Sequence, residues 1–206
     1  FYGCTIKENE TDDVGGGLYA RDGSSPIFFD CVFTDNTAEF GGGCYLKSSS
    51  SPLMENVVFM QNNANNSGGG IGLKDDANIE ASNLTISENL AEGLGGGIYI
   101  NNADPTFSFA LIVDNIASSG AGIYIRNNSE IDLTNITLAN NNAGLYGGGV
   151  YMRDNVTVNF TNSVLWNNGS NQIYFRSEGA EVELNVGYSI VENNQNGVET
   201  NNNGDC

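Results

Sequence analysis

Residues 84–100 read LTISENLAEGLGGGIYI: an apolar residue at 86, Asn three positions later at 89, then three glycines directly before Ile-Tyr-Ile. A lone glycine triplet is loop punctuation. This one recurs. Gly15–Gly17, Gly41–Gly43, Gly68–Gly70, Gly95–Gly97, Gly120–Gly122 (with Ala121 between) and Gly147–Gly149 keep one step. The apolar/Asn pairs keep it too: Ile6/Asn9, Phe33/Asn36, Phe59/Asn62, Ile86/Asn89, Ile112/Asn115, Leu138/Asn141, Leu165/Asn168 and Ile190/Asn193. Their apolar anchors lie 27, 26, 27, 26, 26, 27 and 25 residues apart, and Ala recurs between the landmarks at 38, 64, 91, 117 and 143. A fixed period of this length marks a chain of stacked structural repeats.

Each copy carries three short segments of period two, such as TFSF, ALIVD and GIYIR around Ile112, with polar turns and no helical periodicity. The expected fold is all-β: a right-handed parallel β-helix of about 8 coils of 25–27 residues, three strands per coil. Residues 1–206 form one domain of it, expected to belong to a longer chain because FYGCTIKEN opens as if in mid-coil. Stacking gives each column of the repeat one role. The anchors form an internal apolar ladder, with Cys4, Cys31, Val57, Leu84, Ala110, Ile136, Ser163 and Tyr188 beside them on the same inward face. The Asn column passes amide hydrogen bonds from coil to coil at one bend, and Asn56, Asn83, Asn135 and Asn162 mark another. The glycines turn the chain tightly ahead of the third strand, some at positive φ.

Composition narrows function by exclusion. Asp and Glu number 25 against 7 Lys and Arg, with no His, for a net charge of −18. Phosphate neutralisation needs many cations, so nucleic acid is not an expected partner. No apolar run is long enough to form a transmembrane segment.

The pairing of FTDN and FMQN with GGGIYI-like segments resembles the repeats of chlamydial polymorphic outer-membrane proteins and related bacterial surface β-helix proteins. The resemblance runs from Phe1 to about Asn193; it departs in having Gly where those repeats often have Ala, and Ile or Leu at six of eight anchors. It implies secretion or display at a bacterial cell surface, with adhesion the commonest role.

Four cysteines occur. Cys4 and Cys31 share a column one coil apart, which makes them a disulfide candidate as well as a pair of small core residues. Cys44 replaces Leu or Ile at a core position, and Cys206 follows the last repeat without an evident partner. Of eight Asn-x-Ser/Thr sequons, those at Asn9, Asn83 and Asn135 coincide with ladder positions expected to be buried, so chance accounts for them in so Asn-rich a chain.

One column follows the glycines and faces out: Tyr19, Tyr45, Tyr99, Tyr124, Tyr151 and Tyr174, interrupted at Gly72. Two residues on, the same face carries Arg21, Lys47, Lys74, Asn101, Arg126, Arg153 and Arg176, six of the seven basic residues. Asp22, Asp75 and Asp154 are placed to compensate the repulsion. Such a stripe is either a solvated face or an aromatic and cationic track for a glycan or an acidic protein surface, copies of the chain included. A second column, Glu8, Asp35, Glu88, Asp114 and Glu192, stacks Glu88 over Asp114, near the separation of a retaining glycosidase pair. The acids recur with the repeat rather than gathering in one exceptional coil. Glu88 and Asp114 therefore read better as a solubilising edge, or as loose Ca²⁺ ligands, than as catalysts. The resulting expectation is an extracellular, non-catalytic β-helix acting as surface adhesin or structural scaffold, able to assemble into a filament, with no cofactor beyond such Ca²⁺. The alternative is a polysaccharide lyase or glycoside hydrolase on the same coil.

Overall fold

A computed structural model of the chain describes residues 1–177 and 180–193, and the backbone of 198–200. It is a parallel β-helix of about seven turns, and no helix interrupts the described residues. Each coil adds a strand to sheets that run the length of the rod. One eight-stranded sheet holds the anchors, as in Thr85–Ser87 and Leu111–Val113; another follows the glycines, as in Ile71–Lys74 and Ile98–Asn101. A seven-stranded sheet contains Leu53–Glu55 and Glu80–Ser82.

A fourth sheet, of five strands, departs from the three-strand expectation. Its members, among them Thr37–Phe40 and Ile116–Ser119, are the Ala-bearing stretches between Asn and the glycines. The register shifts after Ala38 and Ala117, which breaks the alternation that marks the other strands. They pair because Ala64, Ala91, Ala117 and Ala143 stack as a buried ladder of their own, small enough to fill a narrow corner beside the glycines.

The anchor column is internal as expected. Phe33, Phe59, Ile86, Ile112, Leu138 and Leu165 are buried, and the Phe33 and Phe59 rings stack at 4.7 Å. Each such side chain contributes about 1.5–3 kcal/mol through removal from water. The last coil differs by one position. Leu165 pairs with Val191, not Ile190, and the Ser163 amide donates to Ser189 Oγ. Ile190 is accordingly exposed, and Tyr188, expected in the core, lies at φ 53° with its ring in solvent.

The Asn ladder is continuous. Asn115 Nδ2 donates to Asn141 Oδ1 and to the Ile86 carbonyl, while Asn115 Oδ1 accepts from both the amide and side chain of Asn89. The residue before each ladder Asn has a positive φ, including Glu8, Asp35, Glu88 and Asp114. The acidic column as far as Asp114 is thus the exposed outer side of a left-handed bend, whereas in the shifted last coil Asn193 takes the bend and Glu192 accepts from the Asn167 amide and Gln172. The second Asn column is another such bend, and not a buried one: Asn83 is exposed and Asn135 half-buried, as is the sequon residue Asn9 exposed at the first coil. Phe109 stands in that column at φ 54°, 59% exposed, where neighbouring coils use Asn. An aromatic residue is strained there by about 1–2 kcal/mol, whereas Asn tolerates the conformation. Phe109→Asn should therefore stabilise the protein by about 1 kcal/mol in urea unfolding; a loss of stability would show that the exposed ring is packed in solution.

Cys4 and Cys31 do lie one coil apart, but the disulfide is not formed. Both are thiols, donating to the carbonyls of Tyr2 (3.5 Å) and Phe29 (3.2 Å). Cys44 is a fully buried thiol whose pKa burial pushes up, consistent with a core residue. Cys206 lies outside the described residues.

Candidate functional site

The strand after the glycines is held in register from coil to coil. Gly72 lies between Tyr45 and Tyr99, and Lys74 between Lys47 and Asn101, with Arg126 beyond Asn101. The tyrosines do point away from the central core, yet they are not an exposed track. Tyr45, Tyr99, Tyr124, Tyr151 and Tyr174 are buried, and only Tyr19, at 42%, offers a face to solvent. Tyr124 and Tyr151 stack at 4.7 Å, and Tyr151 and Tyr174 at 5.2 Å.

What covers them is a column that sequence reasoning missed. The residue just before each glycine group, Val14, Phe40, Ser67, Leu94, Ser119 and Tyr146, ends the short fourth sheet and is bridged to its counterparts in adjacent coils. Phe40 reaches Tyr45 at 6.2 Å, Leu94 packs on the tyrosine cluster, and Tyr146 stacks on Tyr174 at 4.6 Å. The fixed position ahead of the glycines was the available signal.

In the third coil both columns are small: Ser67 on the wall and Gly72 on the floor. A groove of about 340 Å³ runs along this face, lined by residues of the same columns in this and the neighbouring coils. Tyr45 and Tyr99 flank its floor; Lys47, Lys74, Asn101 and Arg126 line one side, and Asp13, Val14 and Phe40 the other, with Tyr19 at one end. The Tyr45 ring fills the space over Gly72, where an added Cβ would come within 2.6 Å of it. Burial, reinforced by Tyr99 and Asp75, pushes the Tyr45 phenol up to about 12, so it is a neutral hydrogen-bond donor at physiological pH.

The cations of the stripe divide into two sets. Arg21 pairs with Asp22 at 3.2 Å, Lys47 with Asp75 at 3.6 Å, and Arg153 with Asp154, as anticipated except that Asp75 serves Lys47 rather than its neighbour Lys74. Arg153 is also tied to Tyr124 and so belongs to the ladder. Arg176 is half-buried and engaged. Lys74 and Arg126 form no ion pair with any described residue, and both face the groove. Arg126 Nε is shielded from solvent without a hydrogen-bond partner. Between them Asn101 donates to the Tyr99 hydroxyl (3.2 Å) and accepts from Asn127 (2.8 Å).

The paired acids are elsewhere. Glu88 and Asp114 are exposed on the left-handed bend, and Glu88 accepts from Gln61 at 3.0 Å. Among the described residues no three or more metal-ligating side chains converge. A larger groove, about 400 Å³, is acidic, lined by Asp104, Glu130, Glu181 and Glu183 among others. There the Asp104 carboxylate accepts from the Glu130 amide at 2.8 Å.

The family model described as "Right handed beta helix region" matches residues 1–109 and 69–206. The chain belongs to that family. No curated protein and no solved structure matches it. Membership fixes the coil and leaves its chemistry to the side chains, since one fold hosts many functions.

Proposed function

We propose that this β-helix is a non-catalytic recognition and scaffold element, displayed outside a bacterial cell, whose cationic face engages an anionic partner. One observation carries the reading. On a chain of net charge −18, Lys74 and Arg126 stand unpaired beside a groove on a single in-register column. A local cationic track on an acidic protein attracts polyanions at short range while the overall charge keeps copies apart. The surrounding rod supplies stiffness, because each coil is hydrogen-bonded to the next through whole sheets and the Asn ladder.

The reading predicts that the protein, despite its charge, is retained on an immobilised carboxylated or sulfated polymer at low ionic strength and released by a few hundred millimolar salt. Lys74→Glu with Arg126→Glu should abolish retention without unfolding the rod. Retention of the double variant equal to wild type would reduce the stripe to a solvated face. The polysaccharide-lyase or hydrolase alternative is addressed in the same samples: depolymerisation that disappears in Asp114→Asn would replace the non-catalytic reading.

A further inference from the structure

We propose that the outward face of the anchor sheet is a docking surface for a short linear segment of a partner protein, one that carries both apolar and basic side chains. The face is set apart by what it lacks. Six strands pair in register from Val32–Thr34 to Val164–Trp166, and none of them turns a charged side chain outward. The other three sheets do, as at Glu80, Glu39 and Lys74. Apolar residues concentrate in three successive coils: Leu111 and Val113, then Ala139, then Val164 and Trp166. Leu111 is 40% exposed and Trp166 52%. Phe109 joins them at the bend two residues ahead of Leu111, exposed and at positive φ where adjacent coils have Asn83 and Asn135. Backbone strain kept at an exposed aromatic residue points to a role in binding, because folding gains nothing from it.

The border of the face sets the charge of the partner. Asp35, Glu88 and Asp114 stand exposed along one edge, on the left-handed bend. Six of the seven basic residues lie on the sheet after the glycines, and the seventh, Lys7, is tied to Glu8 at 3.0 Å in the first coil. An apolar strip with an acidic edge complements apolar side chains flanked by Lys or Arg, and disfavours an anionic lipid surface. Its size sets the form. Six strands at the usual spacing, three residues wide, make a strip of roughly 24 Å by 10 Å. That is about the few hundred Å² at which exposed apolar patches mark interaction sites. It falls well short of the roughly 800 Å² that each partner of a stable protein pair contributes, so a second rod of net charge −18 is a poor occupant. A linear segment of roughly seven extended residues covers the strip. The surface is distinct from the cationic groove and opposite to it in sign, so either can fail without the other.

Trp166 is the only tryptophan of the chain, so its emission reports on this face. The test titrates the whole chain with ten-residue peptides of alternating Leu-Lys, Ser-Lys and Leu-Glu, followed by calorimetry and by Trp166 emission. The Leu-Lys peptide is expected to bind saturably and shift the emission to the blue; the Ser-Lys peptide, equal in charge, and the Leu-Glu peptide are not. Leu111→Thr, which copies Thr85 and Thr137 of the same column, should weaken the Leu-Lys peptide about tenfold. Phe109→Asn should weaken it severalfold in a protein that is more stable for the change. Both substitutions introduce residues that neighbouring coils already hold, so the rod is expected to fold. Glu88→Gln with Asp114→Asn should weaken binding at low salt and matter less at high salt. Glu80→Gln with Glu92→Gln, exposed on other faces, should leave it unchanged. Equal binding of the Ser-Lys peptide would reduce the effect to net charge and overturn the docking face. Binding unchanged by Leu111→Thr and Phe109→Asn would overturn its location, and binding of no peptide would overturn the proposal. Self-association of the chain alone, abolished by Leu111→Thr, would give the face to a second copy instead.

Discussion

Asn115→Leu is expected to remove about 4 kcal/mol or more of stability, although leucine keeps the branched skeleton of asparagine and the site is fully buried. The apolar side chain takes away a donor and an acceptor that no water can replace. The Asn89 amide N–H, one hydrogen of the Asn89 side chain and the Ile86 carbonyl all lose their partner, formerly at 2.9–3.0 Å. Each orphaned buried group costs roughly 1–3 kcal/mol, more than the gain from burying extra carbon. The loss falls in mid-ladder, so it separates the rod into halves coupled only by the sheets. Chemical denaturation should show a lower midpoint and, if coupling is weakened enough, a broader transition. A change below about 1 kcal/mol would mean that the ladder adds little net stability.

Gly97→Ala should cost about 3 kcal/mol, the upper range for overpacking, while Gly96→Ala one position earlier costs about 1 kcal/mol. A Cβ on Gly97 would meet the Gly122 carbonyl oxygen at 2.6 Å and the Asn115 amide at 3.2 Å, so the methyl group would strike both the next coil and the ladder. At Gly96 a Cβ also meets a carbonyl, that of Ile116 at 2.4 Å. The equivalent position one coil later is Ala121, buried among the other small alanines, so this column has a known way of yielding. The two thermal unfolding curves decide it. Equal losses, or the reverse order, would show that the close approach of coils is not what selects glycine.

The period fixed the coil because a β-helix repeats its chemistry at every turn. One residue pattern seen eight times told which column is internal, where the Asn bend falls and why the glycines precede a strand. Those features depend on local backbone needs and on alternation, both of which are written in the chain. The site was legible only in part. Six basic residues in one column, and the interruption at Gly72, could be read directly. Their environment could not. The tyrosines face away from the core in sequence terms, yet Phe40, Leu94 and Tyr146, five residues before a tyrosine in each coil, fold across the glycine corner and bury them. The fourth sheet escaped notice because register shifts after Ala38 and Ala117 break its alternation, and the register of the last coil because its pairing overrides a one-residue ambiguity between Ile190 and Val191. Whether a given cation is paired was likewise a tertiary matter: Asp75 lies next to Lys74 in the chain but reaches across a coil to Lys47. Sequence determines what each coil contains; only the stacking of coils at one strand spacing lays the Tyr45 ring over Gly72 and leaves Lys74 and Arg126 unpaired along the groove.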